Sequence, residues 1–129
     1  MRPVFNDPEF SAEPPAPPAP AEKRPAARTA SVKIGFGTDL LGTTHTMECT
    51  EFTLRSQVFS PLEILRQATS INAEMMMLDG QIGCIAPGAF ADLIVVDGDP
   101  LKDISLMAAN GKNLRVVMRA GELDKCELA

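Results

Sequence analysis

At 129 residues the chain has room for one domain of modest size and hardly a second. Seventeen acidic against twelve basic residues argue against a nucleic-acid binder, and an aromatic content of 5%, all Phe, excludes base-stacking platforms. A single histidine, His45, cannot supply the cluster of imidazoles that most catalytic zinc sites use.

The chain divides by composition at residue 30. Residues 1–30 hold eight of the eleven prolines, and Pro plus Ala make up half of them. No Ile, Leu or Met occurs between Arg2 and Val32, leaving Val4, Phe5, Phe10 and several Ala as apolar side chains. Such a segment buries too little apolar area to offset its ordering entropy, so it reads as disordered, with Glu13–Pro20 leaning to polyproline II. Pro14–Pro17, Pro15–Pro18 and Pro17–Pro20 have the spacing of a PxxP ligand, but Lys23 and Arg24 lie too far from the last proline to complete a flanking charge pattern. A bland tail is the favoured reading of the two. The first ten residues contain no apolar signal core, because Asp7 and Glu9 interrupt it, and no run of about 18 apolar residues exists anywhere. Cys49, Cys84 and Cys126 form no CxxC, so free thiols and a cytoplasmic address are expected.

From Val32 onward apolar periodicity begins. Ser31–Phe36 reads as a short strand, with Val32, Ile34 and Phe36 alternating with Lys33 and Gly35; Asp39 follows its C-terminal end. Leu40–Thr46 is a loop. Met47–Phe59 carries Phe52, Arg55 and Phe59 at helical spacing, weakened by three Thr. Ser60-Pro61-Leu62-Glu63 combines an N-cap Ser, Pro at the first helical position and Glu three residues on. A helix of four to five turns is expected from there, passing through Leu62, Leu65, Asn72 and Met75 and stopping at Asp79-Gly80. Beyond Gly80 the period changes to two. Strands are expected at Gln81–Ala86, Ala91–Asp97, Leu114–Arg119 and Glu122–Lys125, with one helical turn within Leu101–Met107.

Most motif-like features have plain explanations. GFGTDL places Leu40 where a dinucleotide loop needs its third Gly. Asp97, Asp99 and Asp103 surround Leu101 and Lys102, which a calcium loop would replace with a ligand and a Gly. The Met75-Met76-Met77 cluster reads as core packing. Two residues stay open. Asp39 sits at a strand end, where α/β folds place chemistry, but spacing alone favours a turn Asp bonded to its own backbone. His45, in the same loop, is a candidate ligand or substrate contact.

KIGFGTDLLG, SPLEILRQATSINAE and GAFADLIVVDGDPL together resemble the C-terminal end of the metal-dependent amidohydrolases, the group of imidazolonepropionase-like and Xaa-Pro dipeptidase (prolidase)-like enzymes. The resemblance covers residues 31–123 and holds the family's motif order. It implies an α/β fragment: the last strand and helix of a (β/α)8 TIM barrel over 31–80, then C-terminal strands of a small β-sandwich over 81–123, with a tail at 124–129. It further implies a divalent, zinc-type metal that activates water for attack on a C–N bond of a small amide, lactam or dipeptide. Asp39 matches the family's metal-binding, proton-moving Asp after the eighth strand. The His-x-His of the first strand, the bridging Lys or Glu, and the His residues of the fifth and sixth strands have no counterparts here, and His45 is not one of those ligands by position. The resemblance thus implies a truncated hydrolase that is inactive alone and binds no metal by itself. The alternative is an interaction module that completes another chain carrying the missing barrel. Uncovered strands, ADLIVVD and LRVVM among them, would drive self-association.

Overall fold

A computed structural model describes residues 32–128. The expectations of a disordered leader, a polyproline stretch and a PxxP ligand lie outside the described residues.

The capping box written into the sequence forms. The Ser60 hydroxyl accepts from the Glu63 backbone N–H at 3.4 Å, and the Glu63 carboxylate accepts from the Ser60 N–H at 2.8 Å. With Pro61 at its first position, the box starts helix α2 (Pro61–Arg66). The chain continues through one π-helical stretch, Gln67–Ile71, into α3 (Asn72–Met75). The stop differs from expectation. The Leu78 N–H donates to the Ala73 carbonyl at 2.8 Å and the Met77 N–H to that of Glu74 at 3.0 Å. This is a Schellman closure, and Met77 (φ 58°) takes the left-handed position that Gly80 was expected to hold. Gly80 (φ 75°) serves a turn further on.

Ahead of the capping box, a 3-10 turn (Gly42–Met47) leads into α1 (Thr50–Ser56), shorter than the expected Met47–Phe59 helix. The Thr50, Thr53 and Ser56 hydroxyls each donate to the carbonyl three residues back, offering the backbone competing partners that keep this helix short.

Three strands form an antiparallel meander in the order β1 (Leu93–Val96), β2 (Leu114–Arg119), β3 (Glu122–Cys126). Ala120 (φ 49°) and Gly121 (φ 84°) make the two-residue reversal between β2 and β3, where paired positive φ values match the twist of a hairpin. Each ladder carries one irregularity, at Val95/Val96 and at Val117/Met118. Ile104–Ala108 forms a 3-10 turn whose Asp103 cap accepts from the Ser105 N–H at 3.0 Å.

Two expected strands do not form. Val32–Phe36 is not part of any ladder, and Gln81–Ala86 contributes only an isolated bridge between Asp79 and Ile82. Both have strand-like patterns, but a strand needs a neighbouring strand to complete its hydrogen bonds, and neither segment joins the described sheet. Among the described residues, the buried apolar core is Ile64, Ala73, Ile104 and Val116, joined by the buried polar side chain of Gln67. Many large apolar side chains stay exposed, among them Leu41, Met75, Met76, Ile94 and Val95, with Met77 at 85% and Ile85 at 94%. The methionine cluster is therefore a surface feature, contrary to the packing expected of it.

Candidate functional site

The site is built around the segment Val32–Leu40, the sequence's candidate for a strand with chemistry at its end. Phe36 is its anchor. The Phe36 N–H donates to Asn72 Oδ1 at 2.9 Å, and Asn72 Nδ2 donates to the Phe36 carbonyl at 2.7 Å. One side-chain amide thus pairs with backbone N–H and C=O together, as a neighbouring strand would. The Phe36 ring lies 4.6 Å from that of Phe52, and the Arg55 guanidinium stands 4.8 Å above it. Arg55 in turn donates from Nε to Glu51 at 2.6 Å and from a terminal nitrogen to Gln67 at 2.8 Å. At the other end of the segment Lys33 pairs with Glu74 on α3.

Gly35 explains how the amide of Asn72 approaches so closely. A Cβ placed on Gly35 would stand 2.6 Å from Asn72 Oδ1 and 3.0 Å from the Met75 sulfur. A glycine inside a strand pattern is the sequence signal for such an approach. Sequence reading treats Asn72 only as a residue on a helical face, so its partner was not legible there.

Asp39 emerges three residues beyond the clamp, exposed, with φ 53°. Left-handed backbone at a residue other than Gly is uncommon, though Asp tolerates it better than most. The Leu40 N–H donates to the Thr38 hydroxyl at 3.4 Å, closing the turn around it. Among the described residues the Asp39 carboxylate has no hydrogen-bond partner, so the alternative of a turn Asp bonded to its own backbone is not realised. His45 is exposed in the 3-10 turn, its Nδ1 facing the Glu48 carboxylate. An open cavity of about 340 Å³ is lined by Phe36, Gly37, Thr38, Glu48, Cys49 and Phe52, and by neither Asp39 nor His45.

No group of three His, Cys, Asp or Glu side chains comes together among the described residues in a way that could hold a metal ion. The donor set present does not fit a self-contained divalent centre, which needs several ligands. All three cysteines are free thiols. No helix among the described residues is long and apolar enough to cross a membrane. A second, larger groove of about 490 Å³ runs between the helices and β1, lined by Thr69, Cys84, Ile85, Leu93, Ile94 and Met118 among others. Asp92 on its rim already accepts from the Ala120 N–H at 2.6 Å.

Comparison with known proteins places these pieces. The sequence pattern of the amidohydrolase family matches residues 20–123, beginning ahead of Ser31. Among solved structures, an amidohydrolase is 41% identical with a TM-score of 0.76, over 79% of this chain and 25% of its own. A prolidase complexed with N-methylphosphonate-L-proline is 46% identical with a TM-score of 0.74, over 77% of this chain and 24% of its own. A Xaa-Pro dipeptidase with bound methionine is 32% identical with a TM-score of 0.69, over 78% and 24%. No curated protein sequence matches. The chain spans about a quarter of the length of the structures it resembles. By sequence pattern, identity and shared backbone, the chain belongs to the amidohydrolase family.

Proposed function

We propose that this chain carries the C-terminal portion of a metal-dependent hydrolase of C–N bonds, with dipeptides of the Xaa-Pro type as its substrate class. The observation that carries this reading is the 46% identity to a prolidase over 77% of the chain. Asp39 supplies one carboxylate at the end of the former eighth strand of a TIM barrel, to bind a zinc-type divalent metal and to move a proton between the attacking water and the leaving group. When bound, the metal acidifies water and polarises the scissile carbonyl. Exposed, left-handed in backbone and without a competing hydrogen bond among the described residues, Asp39 suits that task. His45 lies in the same loop and contacts substrate rather than metal. The address is cytoplasmic.

The 129-residue chain as it stands does not turn over substrate, because one carboxylate cannot complete a metal centre whose other donors are absent from it. The test is hydrolysis of Xaa-Pro dipeptides and small lactams by the purified chain loaded with zinc. Background rates are expected. Turnover that disappears on Asp39→Ala would overturn the inactive reading.

One observation favours a second role, that of an interaction module. Four apolar side chains are buried among the described residues, whereas fifteen large ones are exposed. Surfaces of that kind suit a protein partner supplying the missing barrel, or self-association. Size-exclusion chromatography separates the cases: a monomer with uniformly protected amides would speak against docking.

A further inference from the structure

We propose that Asn72 is the positioning residue for Asp39, and that Gly35 exists to admit it. The inference rests on the reading of Asp39 given above. It concerns a residue that the motifs leave without a task.

Asp39 is exposed, and its conformation is fixed by whatever holds the backbone before it. Among the described residues Val32–Leu40 joins no ladder and has no strand partner. Asn72 replaces one. Its two bonds to Phe36, at 2.9 and 2.7 Å, satisfy a donor and an acceptor on a single residue and fix both position and rotation of the backbone there. A water could satisfy the same groups but could not tie them to α3. From Phe36 only Gly37 and Thr38 separate the clamp from Asp39, and the Leu40 N–H bonded to the Thr38 hydroxyl at 3.4 Å closes the turn around it. The left-handed φ of 53° at Asp39 costs energy and needs a fixed frame on its N-terminal side. Gly35 is the complementary half, since any Cβ at that position would meet Asn72 Oδ1 at 2.6 Å. No positive φ requires glycine there, so the demand comes from Asn72, with Met75 behind it.

The experiment uses the full 129-residue chain and needs no turnover, so its failure is distinct from failure of the hydrolase reading. Amide hydrogen exchange at Phe36, expressed as a protection factor, reports the clamp. The intense intraresidue amide-to-Hα NOE that marks a positive φ reports Asp39. Asn72→Ala is expected to lower protection at Phe36 by roughly tenfold, the equivalent of one lost hydrogen bond, and to erase the NOE at Asp39, while amides of α2 keep theirs. Gly35→Ala leaves the amide in place but displaces it, and is expected to give the same two changes.

Asn72→Asp supplies a conservative rescue. A protonated carboxyl offers one O–H donor and one carbonyl acceptor, as the amide does, whereas the carboxylate only accepts. The carboxylate still accepts from the Phe36 N–H, so what returns at acidic pH and is lost at neutral pH, in this variant alone, is the hydrogen bond donated to the Phe36 carbonyl, read from the carbonyl 13C chemical shift. The Lys33–Glu74 pair lies nearby, and the wild-type chain measured at both pH values serves as the control for it. Unchanged protection at Phe36 or an unchanged NOE at Asp39 in Asn72→Ala would overturn the proposal. If that variant unfolds, a Phe36 carbonyl chemical shift in Asn72→Asp that does not respond to pH overturns it equally.

Discussion

Arg55 is the junction through which α1, the π-helical stretch and the Asp39-bearing segment meet, and replacing it with Ala gives the most informative single test of the packing. Its side chain is 15% exposed, and Glu51 beside it is 22% exposed, so solvent screens the pair only partly. Three contacts disappear together. The charged hydrogen bond to Glu51 is worth about 1.5–3 kcal/mol, and the stacked guanidinium over Phe36 about 0.5–2 kcal/mol. The third loss is the partner of Gln67 Oε1, whose residue is 4% exposed; stranding such an acceptor costs about 1–3 kcal/mol. The contacts share one side chain and do not add, so the expected loss is about 3 kcal/mol. For a unit of this size that corresponds to a fall in Tm of about 12–24 °C. Urea unfolding followed by far-UV circular dichroism measures it. Arg55→Lys is expected to recover little, because an ammonium cannot fork to Glu51 and Gln67 while stacking on a ring. A loss below about 0.5 kcal/mol for Arg55→Ala, within the range of ordinary surface substitutions, would refute the reasoning.

Ser60→Ala removes one half of the capping box and should cost about 1 kcal/mol in the same unfolding assay, with Ser60→Gly costing less. Ile64 is fully buried, and Ile64→Ala should lose about 2–5 kcal/mol, enough to populate unfolded chain at room temperature if the parent is marginally stable. Lys102, its side chain 85% exposed, pairs with Asp99; Lys102→Ala should leave the unfolding midpoint unchanged. Chelation with EDTA should not shift Tm, since no three-donor cluster occurs among the described residues.

What could be read from the sequence depended on how far each signal reaches along the chain. The start of α2 is encoded within Ser60–Glu63, and the β2–β3 hairpin within a few residues of Ala120-Gly121, so both appeared as expected. Val32–Phe36 has an equally good strand pattern, yet pairing is a property of two segments and its described surroundings provide only the Asn72 side chain. The same applies to Gln81–Ala86, whose backbone closes on itself in turns. Met77 took the helix-ending conformation in place of Gly80 because the Schellman bonds fix where the last turn closes. At the candidate site, the proposal of Asp39 rests on the motif around it. Its anchor was not legible, because Phe36 and Asn72 are 36 residues apart and an Asn within a helix has no distinguishing pattern of its own.

The π-helical stretch Gln67–Ile71 has a consequence for how this helix tolerates change in length. A π turn arises when one extra residue is accommodated within an α-helix. Each residue of an α-helix turns the chain by about 100°, so Ile64 and Ala73, nine positions apart, would face opposite sides of an unbroken helix, yet both are buried. The wider turn removes part of that opposition. Deleting a single residue from Gln67–Ile71 would remove the extra residue, yield a more regular helix and leave Asn72 at nearly the same angle about the axis, still toward Phe36. The helix would gain hydrogen-bond geometry and the loop would keep its support. The wide turn is therefore what lets this helix carry one residue more than a regular one between the Ser60 cap and Asn72 without turning Asn72 away.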